Sequence, residues 1–140
     1  MIISVSRRTD IPAFLGEWFL GRLEERFVDT VNPMNPKQIS HISLAPDDVD
    51  CFVFWTKNPQ NFFPAIKRVN KEGYRYYFNF TLNPYGKDLE PNLPEKQKLI
   101  ETFAELSRMT GKEKIIWRYD PIIINAKHTI NYHEDSFAAL

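Results

Sequence analysis

Two arginine–aspartate pairs are the residues of this chain best suited to chemistry. Arg8 and Asp10 lie near the N-terminus, Arg118 and Asp120 lie near the C-terminus, and a proline follows each pair. A guanidinium group binds phosphate or carboxylate through paired hydrogen bonds, and a carboxylate beside it is a candidate catalytic group. We therefore predict a site for an anionic small molecule, with Asp10 and Asp120 as its catalytic residues.

The second pair belongs to a pattern that recurs along the chain: threonine or arginine, any residue, asparagine or aspartate, then proline. Copies begin at Thr30, Thr56, Thr81 and Arg118, and each ends a run rich in β-branched or aromatic residues. Arg8 begins a further copy with one residue inserted before the proline. Side chains at the carboxyl ends of strands form the sites of α/β enzymes. The predicted substrate-binding residues are Arg7, Arg8, Thr56, Lys57, Asn58, Thr81, Asn83 and Arg118.

Two structural interpretations of these residues remain open. Asparagine before proline is a common turn or helix-capping residue, and Asn32, Asn58 and Asn83 all fit that description. A guanidinium that faces a protein interior needs an anionic partner. The two arginine–aspartate pairs could therefore be ion pairs that carry no chemistry.

Hydrophobic periodicity predicts strands and helices that alternate along the chain. Predicted strands cover residues 2–6, 27–31, 51–56, 74–82 and 114–119, and a returning segment of weak alternation covers 38–44. The strand at 2–6 is expected to be buried. Predicted helices begin near residue 13 and cover 59–71, 95–109 and 132–140. Asp10 is expected to cap the first helix, and the proline-rich segment 32–36 is expected to form a turn.

Strands joined in sequence by right-handed crossovers place every helix on one face of a parallel sheet. Such a sheet covers its other face only by closing on itself, as in a (β/α)₈ barrel of about 250 residues. We expect a single α/β domain over residues 1–140 that is the truncated N-terminal half of such a barrel, since Leu140 ends a predicted helix without a capping signal. A doubly wound sheet with helices on both faces is the alternative.

Alternation along the strands predicts which way the side chains point. The first and third residues of each pattern copy fall on one side of the sheet, and the aromatic residue before the copy falls on the other. Trp55, Phe80 and Trp117 are these aromatic residues. We expect them to pack against helices, while the polar residues of all the copies gather at the carboxyl edge of the sheet.

Composition limits the class of protein. Hydrophobic residues make up 43% of the chain, and 18 basic residues balance 18 acidic ones, so no net charge favours nucleic acid. Without a leader segment or an apolar run long enough to span a membrane, a cytoplasmic protein is expected. Cys51 and the three histidines share no ligand spacing, so we expect no metal site in this chain. Cys51 is expected to be an inert thiol in a buried strand, and His133 to lie in a solvated helix turn.

Five motifs taken together resemble a bacterial family catalogued as a domain of unknown function. They are SRRTDIP at 6–12, NPMNP at 32–36, FWTKNP at 54–59, FTLNPYG at 80–86 and WRYDP at 117–121. Full-length members of that family look longer and carry a cysteine motif similar to the cluster-binding motif of radical S-adenosylmethionine enzymes. The resemblance implies an iron–sulfur cluster and S-adenosylmethionine as cofactors of a full-length protein, with cluster ligands outside this chain.

Three functions remain open. The first is a barrel enzyme to which this chain, inactive alone, supplies substrate-binding groups. The second is a non-catalytic domain that binds an anionic small molecule or a nucleotide. The third is a structural unit whose arginines only pair with its aspartates. Expected partners are the anionic ligand and either a missing C-terminal half of the same protein or a second copy bound at an exposed sheet edge.

Overall fold

The computed structural model describes residues 1–140, which form six strands and five α-helices. The strands are β1 (Ile2–Ser4), β2 (Phe27–Asn32), β3 (Asn35–Ser43), β4 (Cys51–Thr56), β5 (Tyr76–Thr81) and β6 (Ile115–Arg118). The helices are α1 (Ile11–Phe14), α2 (Gly16–Glu25), α3 (Phe63–Lys71), α4 (Lys96–Thr110) and α5 (Ile130–Ala139). None of these helices combines the length and apolar character needed to cross a bilayer.

Four strands form one parallel sheet in the order β1-β4-β5-β6. They follow one another in the sheet as they do in the chain, without the reversal of order that a doubly wound sheet requires. Helices α2, α3 and α4 contribute to one hydrophobic core together with the strands. The predicted α/β class is therefore confirmed, and the sheet with its helices on one face resembles part of a barrel wall.

The remaining two strands do not join this sheet. β2 and β3 pair only with each other, as an antiparallel hairpin. The strand predicted at 27–31 is confirmed, but its expected place among the barrel strands is wrong. A tight turn joins antiparallel strands, whereas a parallel neighbour needs a longer crossover, so the turn at Pro33 and Met34 sends the chain straight back along β2. Thr30 and Asn32 therefore do not lie at the carboxyl edge of the parallel sheet.

The hydrophobic core lies between the parallel sheet and the helices. Phe52 and Phe54 of β4 and Phe78 of β5 are fully buried on this face. Phe19 of α2 packs edge-on against Phe52 and Phe54, with ring centroids 5.6 Å apart in both cases. Burial of an aromatic side chain of this size contributes about 1.5–3 kcal/mol. The helix-packed face therefore supplies most of the stabilising contacts that position the strand ends.

The opposite face of the sheet is open. Ile2 of β1 is 71% exposed and Ile116 of β6 is 50% exposed. β1 and β6 each pair with one neighbour only, so both outer edges carry unpaired backbone groups. The strand expected at 2–6 is present as β1, but it is not buried as expected. A short apolar run does not distinguish an edge strand from a central one.

The register of the sheet decides where the recurring polar residues point. Thr81 of β5 pairs with Arg118 of β6, but Thr56 of β4 pairs with Phe80 and not with Thr81. A shift of one residue turns a side chain to the opposite face. Thr56 therefore points to the helix-packed face, and Thr81 and Arg118 point to the open face. The expected packing of Trp55 against helices is wrong for the same reason, since Trp55 lies on the open face.

Trp117 and Phe80 lie on the helix-packed face, as predicted. The Trp117 indole stacks on Phe137 of α5 with ring centroids 4.8 Å apart, and its Nε1 donates to the Leu82 carbonyl at 3.0 Å. Phe80 packs edge-on against Phe103 of α4. The alternation argument therefore holds for β5 and β6 and fails for β4.

Candidate functional site

Arg118 and Trp55 meet on the open face near the carboxyl edge of the sheet. The guanidinium carbon of Arg118 lies 4.4 Å from the centroid of the Trp55 ring, which is a cation–π contact. Arg118 Nη2 also donates to Asp120 Oδ2 at 2.5 Å, so the predicted Arg118–Asp120 ion pair is confirmed. Asp120 Oδ1 is buried and has no hydrogen-bond partner. One oxygen of this carboxylate therefore has no hydrogen-bond donor within the chain.

An open depression of about 410 Å³ lies beside Trp55, lined by Ser4, Ser6 and Arg7 as well as the indole. The β1 end is fixed here because Ser6 Oγ accepts a hydrogen bond from the Trp55 backbone N–H at 3.3 Å. Arg7 is exposed and forms no ion pair with any carboxylate of the chain. Its positive charge is available to an anion in the depression.

Arg8 turns towards the hairpin. Its Nη2 donates to the Val31 carbonyl of β2 at 2.6 Å, and it forms no ion pair with Asp10. The predicted Arg8–Asp10 pair is therefore wrong, because Val31 supplies the acceptor that the guanidinium needs. A second depression of about 500 Å³ lies between this turn and β2, with Arg7 and Arg8 both in its wall. The two arginines thus border adjoining spaces.

Asp10 caps α1, as predicted, and also ties that helix to the end of β4. Its Oδ1 accepts from the Ala13 backbone N–H at 3.0 Å. Its Oδ2 accepts from Thr56 Oγ1 at 3.0 Å and from the Lys57 backbone N–H at 2.9 Å. Burial raises the pKa of the Asp10 carboxyl above its usual value, although these hydrogen bonds and the Lys57 charge act in the opposite direction. Both oxygens of Asp10 are thus engaged in local structure.

Lys57 is paired within the protein. Its Nζ lies 2.6 Å from Glu90 Oε1, and Lys96 Nζ lies 2.9 Å from Glu90 Oε2. Burial acts to raise the pKa of Glu90, but the hydrogen bonds and charges of the two lysines outweigh it and lower that pKa below its usual value. The charge of Lys57 therefore contributes less to an external anion than that of Arg7.

The predicted amide and hydroxyl ligands occupy three different settings. Asn58 Oδ1 accepts from the Gln60 backbone N–H at 3.4 Å, the local turn contact that its position before proline favours. Asn83 is buried, and its Nδ2 donates to the Asp120 carbonyl at 2.8 Å while its Oδ1 has no partner. Thr81 lies on the open face beside Arg118. The structure thus brings Thr81, Asn83, Arg118 and Asp120 together at the ends of β5 and β6.

A cluster of tyrosines and histidines behind this edge was not predicted. His133 is only 6% exposed, so its expected place in a solvated turn is wrong. Its Nε2 lies 3.0 Å from the Ile123 carbonyl and must donate to it, which leaves Nδ1 to accept from the Tyr119 hydroxyl at 2.8 Å. Tyr85 donates to the Pro121 carbonyl at 2.6 Å. These contacts fix the loop that follows Asp120. No sequence pattern predicts them, because they join residues of separate segments of the chain.

The residues of this chain do not fit a metal ion or an iron–sulfur cluster. No group of three or more histidine, cysteine or acidic side chains is arranged to hold a metal. A protein-bound cluster is held by several thiolates, and Cys51 is the one cysteine of the chain. Burial raises the pKa of the Cys51 thiol, which keeps it protonated and poor as a ligand.

Comparison with known proteins identifies the family of this chain. The chain matches the family model described as Domain of unknown function (DUF1848) over residues 2–140. The match includes all six strands and all five helices. No curated protein and no solved structure matches the chain.

Proposed function

We propose that this chain, which belongs to the DUF1848 family, is the part of a barrel-type α/β enzyme that binds an anionic small molecule. The ligand lies at the carboxyl ends of the parallel strands, next to Trp55. The observation that carries this proposal is the unpaired guanidinium of Arg7 in the wall of the depression that Trp55 borders. A cation without a protein partner beside a ligand-sized space favours a phosphate or a carboxylate.

Within this proposal Asp120 is the stronger catalytic candidate. Its Oδ1 has no partner, whereas both oxygens of Asp10 accept hydrogen bonds from the protein. Arg118 holds Asp120 Oδ2, and the unpartnered Oδ1 is buried, so catalysis by this carboxylate requires its side chain to turn towards the ligand. Asp10, Thr56 and Lys57 support the strand end in this scheme. Thr81 lies beside Arg118 on the open face, and Asn83 donates to the backbone carbonyl of Asp120.

A non-catalytic domain for an anionic ligand or a nucleotide is the second candidate. It is favoured by the use of Asp10 and Lys57 in local structure, which leaves fewer groups for a reaction. If a longer protein turns over a substrate and this turnover depends on Asp120, the enzyme hypothesis is correct. Ligand binding by the longer protein without any turnover would decide for the binding domain, and unchanged turnover in its Asp120→Asn variant would remove Asp120 from the catalytic residues.

The iron–sulfur cluster and S-adenosylmethionine enter this proposal only for a longer protein, on the resemblance alone. One cysteine cannot supply the ligands of a cluster, so no step of the proposed function passes through these groups. The proposal places the protein in the cytoplasm, where a single thiol such as Cys51 stays reduced.

Anion binding by the chain itself tests the proposal. In an NMR titration with inorganic phosphate, we expect shifts at the amides of Ser4, Ser6 and Arg7. Arg7→Ala should weaken binding about tenfold, the worth of a hydrogen bond to a charged group. Arg75→Ala is the matched control. Arg75 is another exposed arginine, and it directly precedes β5, at the amino-terminal ends of the strands and away from the proposed site. Equal binding by wild type and Arg7→Ala would overturn the proposal.

A further inference from the structure

We infer that the ligand of this site carries a flat aromatic ring beside its anionic group, and that the ring stacks on the Trp55 indole. The chemical class is an aromatic or heteroaromatic phosphate or carboxylate. The inference rests on the proposed anion-binding function, since Arg7 is the group that takes the charge. It adds a recognition element that an anion alone does not need.

The position of Trp55 in the sheet carries this inference. Trp55 lies on β4, and Arg118 lies on β6, two strands away. Neighbouring strands are about 4.8 Å apart, so a contact of 4.4 Å between guanidinium and ring requires a side chain to cross over β5. Asn79, the β5 residue that pairs with Trp55, is accordingly only 6% exposed although it lies on the open face. Arg118 therefore covers the indole on the β5 side.

The other side of Trp55 borders the depression over β1. Trp55 as a whole residue is 38% exposed, and Ser4, Ser6 and Arg7 form the rest of the wall. The volume of about 410 Å³ lies within the range typical of small-molecule sites. Arg118 covers the Trp55 indole on one side, and the depression lies on the other side. A flat ring can therefore stack on the indole from the depression.

The polar groups around this platform match an aromatic anion better than an aliphatic one. Ser6 Oγ accepts a hydrogen bond from the backbone N–H of Trp55, so the Ser6 hydroxyl hydrogen remains available to donate. Ser4 is exposed on the same face. Two hydroxyl groups can bond ring heteroatoms or substituents while Arg7 holds the charge. An aliphatic anion would use Arg7 and leave the indole in water, whereas a stacked ring removes that apolar surface from water.

Matched ligand pairs separate ring recognition from anion recognition. The probes are phenyl phosphate against methyl phosphate, and adenosine monophosphate against ribose 5-phosphate, each titrated into the chain by NMR. We expect the aromatic member of at least one pair to bind about tenfold more tightly, the worth of one stacked ring, and to shift the Trp55 indole signal. Trp55→Leu should abolish this preference, so that the Kd values of the aromatic and aliphatic members of a pair become equal. Phe14→Leu, at an exposed aromatic residue away from the depression, should retain the preference.

The possible failures differ from one another. If aromatic and aliphatic members of both pairs bind equally, and binding still needs Arg7, the ring inference is overturned and the proposed anion site stands. If no phosphate binds, both are overturned. If the aromatic preference survives in Trp55→Leu, the ring binds elsewhere and the assignment to Trp55 is wrong.

Discussion

Asp10 and Thr56 are joined by a hydrogen bond of 3.0 Å across 46 residues of sequence. The same carboxylate caps α1, so one side chain links the turn after β1 to the end of β4. Such a link fixes the distance between the two strand ends that border the Trp55 depression. Removal of this carboxylate should therefore affect both stability and the shape of the site.

We expect Asp10→Ala to lower the free energy of unfolding by about 1–3 kcal/mol, because it removes a helix cap and leaves buried donors unpaired. Asp10→Asn should lower the free energy of unfolding by less, because its amide oxygen can still accept a hydrogen bond. Urea denaturation at pH 7 measures both. Asp47→Ala, at an exposed aspartate without a side-chain contact, is the control. An Asp10→Ala variant as stable as the control would show that the link carries no stabilisation.

The pKa of Glu90 gives a pH dependence of known sign. Its folded-state pKa lies below 4.5, so its contribution to stability is fully present above pH 4.5 and is lost as the pH falls through the folded-state value. We expect Glu90→Gln to lower the free energy of unfolding by about 1–3 kcal/mol at pH 7. The difference between variant and wild type should shrink below pH 4.5. A difference that stays constant with pH would contradict the assignment of this effect to the lysine–Glu90 contacts.

Two glycines of α2 should respond in opposite ways to the same substitution. A Cβ at Gly16 would lie 2.9 Å from the Asn61 carbonyl oxygen, while a Cβ at Gly21 meets nothing within 4 Å. Gly21→Ala should therefore raise the free energy of unfolding by about 0.5–1 kcal/mol through helix propensity. Gly16→Ala should lower it by about 1–3 kcal/mol through overpacking. Thermal melts of the two variants check this, and stabilisation by both would show that the Asn61 loop gives way.

The open face and free edges of the sheet should make the chain self-associate. Ile116 is half exposed on edge strand β6, where a second copy can pair or pack. We expect Ile116→Lys to shift the population towards monomer in sedimentation velocity experiments. Ile39→Lys, at an exposed position of the hairpin, is the matched control and should have little effect. A wild-type chain that is monomeric at high concentration would refute this expectation.

Long periodic segments were predictable from the sequence. The strand predicted at 51–56 and the helix predicted at 95–109 correspond to β4 and α4. β4 is a short continuous run of aromatic and apolar residues, and the apolar residues of α4 repeat with a helical period. The Asp10 cap followed from its place before Pro12. Local chemistry within one segment determines these features, so no knowledge of distant residues was needed.

Relations between segments were not predictable. The face on which Trp55 lies depends on a register that pairs Thr56 with Phe80, and no residue of β4 alone encodes it. The turn at 32–36 was predictable from its prolines, but the exclusion of β2 from the parallel sheet was not, because it depends on which strands pair with β1 and β4. His133 is buried because Tyr119 and the Ile123 loop reach it from outside its own helix.

The edge position of β1 has a consequence for the order of folding. β4–β5 and β5–β6 each close around one helical connection, but β1 must wait for the hairpin and β4 before it can pair. Its amides should accordingly exchange with solvent faster than those of β5, which has neighbours on both sides. Because Arg7 follows β1 closely, we expect the cationic side of the depression to open more readily than the ends of β4 and β5. An anion bound there would protect the N-terminal strand against exchange.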